Sequence, residues 1–264
     1  MCTTCGCSDS ATVRIGPPGD PHADHHDHGD QHGRVLTLEQ DLLAKNDLLA
    51  TRNRDWLHER DILAVNLMSS PGSGKTTLLE RTAREARGMF PIAVVEGDQE
   101  TQLDADRILA TGVSAVQINT GTGCHLDADM LRRAVTTLAP GPGTVLFVEN
   151  VGNLVCPALF DLGEDYRVVI MSVTEGPDKP RKYPHMFATA DLVLLNKIDL
   201  LPYLAFDAAS FLRDARAVNP HMRVLQVSAT TGAGLQNWYD WLREHAPRPE
   251  TVSRPGHRST PASH

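Results

Sequence analysis

Lys75, Thr76 and Thr77 follow a run of small residues, Ser69-Ser70-Pro71-Gly72-Ser73-Gly74. That order suits phosphate chemistry. A glycine-bearing loop lets successive backbone N–H groups turn inward onto phosphate oxygens, and the positive end of a following helix adds to them. Lys75 is placed to reach the outer phosphates of a nucleoside triphosphate, and the Thr76 hydroxyl to sit on Mg²⁺. Gly72, Ser73, Gly74, Lys75, Thr76 and Thr77 are therefore the expected phosphate-binding residues. The usual spacing is G-x-x-x-x-G-K-[ST], and Ser69 stands where its first glycine would be.

Two carboxylates extend this set. Asp98 lies in Gly97-Asp98-Gln99-Glu100-Thr101, and Glu149 opens Glu149-Asn150-Val151-Gly152. Both are expected to hold Mg²⁺ with Thr76, directly or through water, and with Lys75 they form the expected catalytic set. Either carboxylate is a candidate for orienting the attacking water. No glutamine follows Glu149 in the usual place, which predicts slow intrinsic hydrolysis, suited to a switch. Asn196-Lys197-Ile198-Asp199 reads the base. Asp199 can accept from guanine N1–H and its 2-amino group, a donor pair that adenine lacks, so adenine leaves the carboxylate unpaired. Asn196 is expected to brace the loop, the Lys197 stem to cover the base, and Ser228-Ala229 to contact its O6. The expected nucleotide is GTP.

Metal-binding types form a second constellation. Cys2, Cys5 and Cys7 fall within six residues, and His22, His25, His26, His28 and His32 within eleven. Removal of Met1 would give Cys2 a free amine, which with three thiolates makes the four N/S donors that Ni(II) accepts in a square plane. The histidines are expected to bind metal weakly. Cys124-His125 and Cys156 offer two thiolates and an imidazole for Ni(II) or Zn(II), with Asp127 and Asp129 as possible additions. Cys156 lies seven residues after Glu149, so γ-phosphate and metal could share one moving segment.

These groups need a scaffold that brings them to one edge. Apolar strand-sized runs at Ile62–Met68, Ile92–Glu96, Ala115–Ile118, Thr144–Val148, Arg167–Val173, Leu192–Leu195 and Val224–Val227 alternate with helical patterns. The expected fold is α/β, a mainly parallel sheet covered by helices on both faces, of the P-loop NTPase kind. Each motif follows a strand, where such sheets bind ligands. Residues 37–60 predict one amphipathic helix with no chemistry assigned. Residues 1–34 carry almost nothing apolar and are expected to be a disordered metal-binding arm. The GTPase domain with its N-terminal helix is expected over 35–246, and a disordered tail over 247–264.

Composition narrows the classes. Net charge is 25 − 33 = −8, which does not favour a nucleic-acid partner. The longest apolar runs fall well short of the roughly 20 residues that span a bilayer, and the N-terminus lacks a secretory pattern. A cytoplasmic protein is expected. Five cysteines there point to metal or thiol chemistry rather than disulfides.

The motif series MCTTCGC, a histidine-rich arm, SSPGSGKTTLL, GDQET, NTGTGCHLDADM, ENVGNLVCP, NKIDL and SAT resembles the HypB family of hydrogenase nickel-incorporation GTPases. The resemblance covers Met1–Cys7 and roughly Leu36–His245. It implies a GTPase of the class that includes signal-recognition and MinD-type proteins, a GTP-dependent homodimer, and delivery of nickel to the large-subunit precursor of [NiFe]-hydrogenase. It further implies a HypA-type accessory protein and a SlyD-type isomerase as partners, Cys2, Cys5 and Cys7 as a high-affinity nickel site, and Cys124, His125 and Cys156 as a GTPase-domain metal site. Rival readings are a urease-type accessory GTPase, nickel storage through the histidine arm, and a nucleotide switch with no metal role.

Overall fold

Strand β1, Leu63–Ser69, is buried at every position. A strand covered on both faces cannot alternate apolar with polar, and this one reads as a near-continuous apolar run. In the computed structural model, which describes residues 29–98 and 103–247 with side chains from Gln40 onward, β1 is the middle of a seven-stranded sheet. The other strands are β2 (Ile92–Asp98), β3 (Ser114–Asn119), β4 (Val145–Glu149), β5 (Tyr166–Ser172), β6 (Leu192–Asn196) and β7 (Arg223–Gln226). Their order is β3-β2-β4-β1-β5-β6-β7, and every pairing is parallel. The expected α/β architecture is the observed one.

Helices cover both faces. On one lie α2 (Lys75–Ala86), α3 (Leu103–Leu109) and α8 (Leu235–His245), packing Leu78, Leu79, Ile108 and Trp238 against Leu67, Val94 and Phe147. On the other lie α1 (Gly29–His58), α4 (Ala128–Leu138), α6 (Pro184–Ala188) and α7 (Ala208–Val218). A short α5 (Lys179–Lys182) precedes α6. Each core side chain of this size contributes about 1.5–3 kcal/mol on burial. Among the described residues no helix is long and apolar enough to cross a membrane.

Helix α1 starts at Gly29, eight residues before the expected Thr37. No proline lies between His22 and His58, so a helix anchored by packing further along can propagate backwards through polar residues of ordinary propensity. His32 thus falls on α1. Its docked stripe is Asn46, Ala50, Asn53 and Leu57, and two of those four are polar. Asn46 accepts from Ala128 N at 2.9 Å and donates to Asp161 O at 2.7 Å. Asn53 donates to Ala128 O at 2.8 Å and Leu162 O at 2.9 Å. Cys2, Cys5, Cys7, His22, His25, His26 and His28, and the tail from residue 248, lie outside the described residues.

Candidate functional site

The chain runs outward from β1 in both directions, so the carboxyl end of β1 is where the topology switches and a crevice opens. A cleft of about 510 Å³ lies there, lined by Ser69–Thr77 together with Asp98, Asp104, Arg107, Val151, Gly152 and Lys197. Gly72 and Gly74 have φ of +72° and +93°. Gly74 also has no room for a side chain, because a Cβ would stand 2.6 Å from the Asn196 amide nitrogen. Ser69 is the last residue of β1 and has no positive φ. Glycine's freedom is not needed there, so the departure from the usual spacing has no conformational cost.

Lys75 and Thr76 both engage Glu149. The Thr76 hydroxyl donates to Glu149 Oε1 at 2.6 Å, and Lys75 Nζ lies 3.2 Å from the same oxygen. The other oxygen, Glu149 Oε2, is buried with no hydrogen-bond partner among the described residues, as is the Ser73 hydroxyl of the loop. Glu96 pairs in register with Glu149 across β2 and β4. Burial, reinforced by Glu149, pushes the Glu96 carboxyl up to about 8. Asp98 ends β2 at the cleft wall. The Thr76 hydroxyl with the Glu149 and Asp98 carboxylates can take a cation at this end of the phosphate loop, and Lys75 beside them can take a phosphate oxygen.

The residues expected to read the base lie together beside the phosphate loop. Asn196, at the end of β6, donates to Ser73 O at 2.9 Å and accepts from Ala229 N at 3.0 Å, so it bolts the phosphate loop to the loop after β7. Lys197 adopts φ +63° and its ammonium donates to Gly72 O at 2.6 Å. The Ser228 hydroxyl donates to Asp199 Oδ1 at 2.5 Å, which fixes the carboxylate's orientation.

The metal-type residues also meet. Cys124 and His125 lie between β3 and α4, and Cys156 in the turn after β4. The Cys124 and Cys156 sulfurs are 2.9 Å apart, and Cys124 Sγ is 3.6 Å from His125 Nδ1. All three ligand atoms lie within 4.8 Å of one another, close enough to share one ion. Burial lowers the His125 pKa against a raising effect from Asp127, which favours the neutral, ligating imidazole. Asp127 itself caps α4, accepting from Met130 N at 2.8 Å. Neither Asp127 nor Asp129 joins the cluster.

Several site residues were missed in the sequence. Glu175 accepts the Ser70 hydroxyl at 2.5 Å and Ser172 N at 3.0 Å, bracing the phosphate loop from β5. Its one signal is its place just past a strand end. The Phe160 ring stacks on His125 with centroids 3.9 Å apart, and nothing local announces that. Gly152, by contrast, belongs to the motif already noted after Glu149, and it approaches the phosphate loop closely: a Cβ there would lie 3.2 Å from Pro71 Cα and N.

Strand, glycine loop, helix and a seven-stranded parallel sheet define a phosphate-loop nucleotide-binding protein. Residues 63–226 match the family described as CobW/HypB/UreG, nucleotide-binding domain. The hydrogenase maturation factor HypB of Rhizobium leguminosarum bv. viciae is 55% identical over 215 residues, covering 81% of this chain and 72% of that protein. Its namesake from Escherichia coli K12 is 46% identical, covering 92% of this chain and 98% of that one. The crystal structure of HypB from Helicobacter pylori in complex with nickel superposes with a TM-score of 0.72 at 39% identity, covering 76% of this chain and 94% of that one. The chain belongs to the HypB family of hydrogenase maturation factors.

Proposed function

We propose that this protein is a GTP-hydrolysing nickel metallochaperone that delivers Ni(II) during maturation of [NiFe]-hydrogenase. GTP binding and hydrolysis control its dimerisation and the transfer of metal. The observation that carries this reading is the cluster of Cys124, His125 and Cys156, tied to the phosphate loop by the short segment that starts at Glu149. A nickel ion bound there is cargo, and Zn(II) would compete for the same donors.

In hydrolysis, the backbone N–H groups of Gly72–Thr76 and the Lys75 ammonium neutralise charge that develops on the transferring phosphoryl group. Thr76, Asp98 and Glu149 would hold Mg²⁺, and the unpartnered Glu149 Oε2 fits such a cation. Bound by these residues, Mg²⁺ would supply further charge neutralisation. Asp98 or Glu149 orients the attacking water, and turnover is slow. Asn196, Lys197, Asp199, Ser228 and Ala229 select guanine. The homodimer, a HypA-type protein, a SlyD-type isomerase and the hydrogenase precursor are the proposed partners. Cys2, Cys5 and Cys7 are the proposed tight nickel site, with the arm histidines as a weak reservoir. The reaction belongs in the cytoplasm, where thiolates stay reduced.

The test is nickel transfer from the purified protein to the hydrogenase precursor with GDP, GTP and a non-hydrolysable GTP analogue. Transfer that differs among the three supports the switch, and equal transfer in all three removes it. Many weakly bound ions per chain, in place of one or two tight ones, would favour storage.

A further inference from the structure

Glu149 and Asn150 are consecutive, and their side chains serve different sites. Glu149 receives the Thr76 hydroxyl and Lys75 from the phosphate loop. Asn150, fully buried, turns to the metal-ligand loop: its Oδ1 accepts the N–H of Leu126, the residue after His125, at 3.2 Å. The same oxygen accepts the N–H of Val151, in the segment that leads to Cys156, at 3.0 Å. The Asn150 amide then donates to Asn66 Oδ1 at 3.3 Å, in the middle of β1. Asn66 donates to Glu164 Oε1 at 3.2 Å, and Glu164 Oε2 accepts Leu162 N at 2.7 Å. Leu162 lies two residues beyond Phe160, whose ring stacks on His125.

A hydrogen-bonded chain thus runs from one wall of the metal site, through Asn150, Asn66 and Glu164, to the other wall. It passes through the residue beside the carboxylate that holds Lys75 and Thr76. We infer that Asn150 is the positioning residue that couples the two sites: its one amide oxygen holds the Cys124-His125 loop and the Glu149–Cys156 segment together, so a displacement of the segment by the γ-phosphate moves the ligand loop with it. A buried network of this kind has discrete arrangements, because each donor that leaves must find another acceptor. The inference rests on the reading of this protein as a GTP-controlled nickel carrier.

The test uses the full chain carrying Cys2, Cys5 and Cys7→Ser, so that thiolate-to-nickel charge-transfer absorption reports Cys124 and Cys156 alone. Nickel is titrated with Mg-GDP and with Mg plus a non-hydrolysable GTP analogue. In this parent the two nickel affinities differ by about fivefold or more, and reciprocity requires nickel to shift the ratio of analogue to GDP affinity by the same factor. Asn150→Ala brings the ratio to within about twofold of one, with nickel and GDP still bound. Asn66→Ala, which bonds to the segment only through the Asn150 amide, lowers the ratio part of the way. A purely structural role would weaken nickel equally in both nucleotide states, and a folded Asn150→Ala with the parent's ratio overturns the inference. If Asn150→Ala does not fold, Asn66→Ala decides, and an unchanged ratio there overturns it. Equal nickel affinities in the parent would remove the GTP switch and this inference together. A parent ratio that both variants retain removes the inference alone.

Discussion

The amide nitrogen of Asn196 donates to the carbonyl of Ser73 at 2.9 Å, across 123 residues of sequence. The same side chain accepts from Ala229. One asparagine thus sets the distance between the phosphate loop and the loop proposed to contact the base.

Asn196→Ala leaves the Ser73 carbonyl and the Ala229 N–H without their partner. The expected cost is about 2–6 kcal/mol of stability, from two buried groups at about 1–3 kcal/mol each. Urea unfolding measures it. Affinity for GDP falls while preference for GDP over ADP persists, because Asp199 is intact. Lost base preference with full affinity would contradict this assignment.

Asp199→Asn exchanges an acceptor pair for one acceptor and one donor. Guanine then loses a partner for its 2-amino group, whereas xanthine offers a carbonyl at that position. GTP affinity is expected to fall by about 10- to 100-fold, the worth of a hydrogen bond to a charged group. XTP affinity is expected to rise. Competition against a fluorescent guanine nucleotide reads both, and unchanged GTP binding would place the base elsewhere.

Cys156→Ser removes one of three donors and is expected to abolish thiolate-to-nickel absorption from the inner site in a chain lacking the arm cysteines. Phe160→Leu keeps all three donors and removes only the ring stacked on His125. Its expected effect is smaller, about tenfold in nickel affinity, as for a residue that orients a ligand without binding metal. Equal losses in the two variants would make Phe160 more than a brace.

Glu96 gives the protein a pH signature. Its carboxyl is raised from 4.5 to about 8, first by burial and then by Glu149. Between those values the unfolded chain releases this proton and the folded one keeps it, so this group makes stability fall as pH rises. Below 4.5 both states hold the proton and the penalty vanishes. The stability of Glu96→Gln over the parent is expected to grow with pH, from a small gain at about pH 5 to a few kcal/mol at about pH 8. Chemical unfolding without nucleotide or metal tests it, and parallel pH profiles for the two proteins would sink the idea.

Much of the site was legible because its groups are local. Lys75 and Thr76 follow their loop directly, and Asn196 to Asp199 follow a strand directly. The inner strands read clearly because burial on both faces makes them mainly apolar, whereas the edge strands β3 and β7 are more exposed and mix polar residues in. Glu175, Phe160, Asn66 and Glu164 were not legible, since each acts on a residue far along the chain. Glu175 meets Ser70 across 105 residues and Asn66 meets Glu164 across 98. No spacing rule joins them.

The sequence by itself determined the parallel sheet and the phosphate loop, and it marked the candidate guanine-reading residues and metal ligands, because periodicity and motif spacing are properties of neighbouring residues. It left open whether Cys124, His125 and Cys156 meet, and what lies between them and the phosphate loop. Tertiary structure decided both. The order β3-β2-β4-β1 places the ends of β3 and β4 on either side of β2, and packing then buries Asn66 and Asn150 together with Leu126 N. Buried amides must find partners, and only the folded chain supplies them.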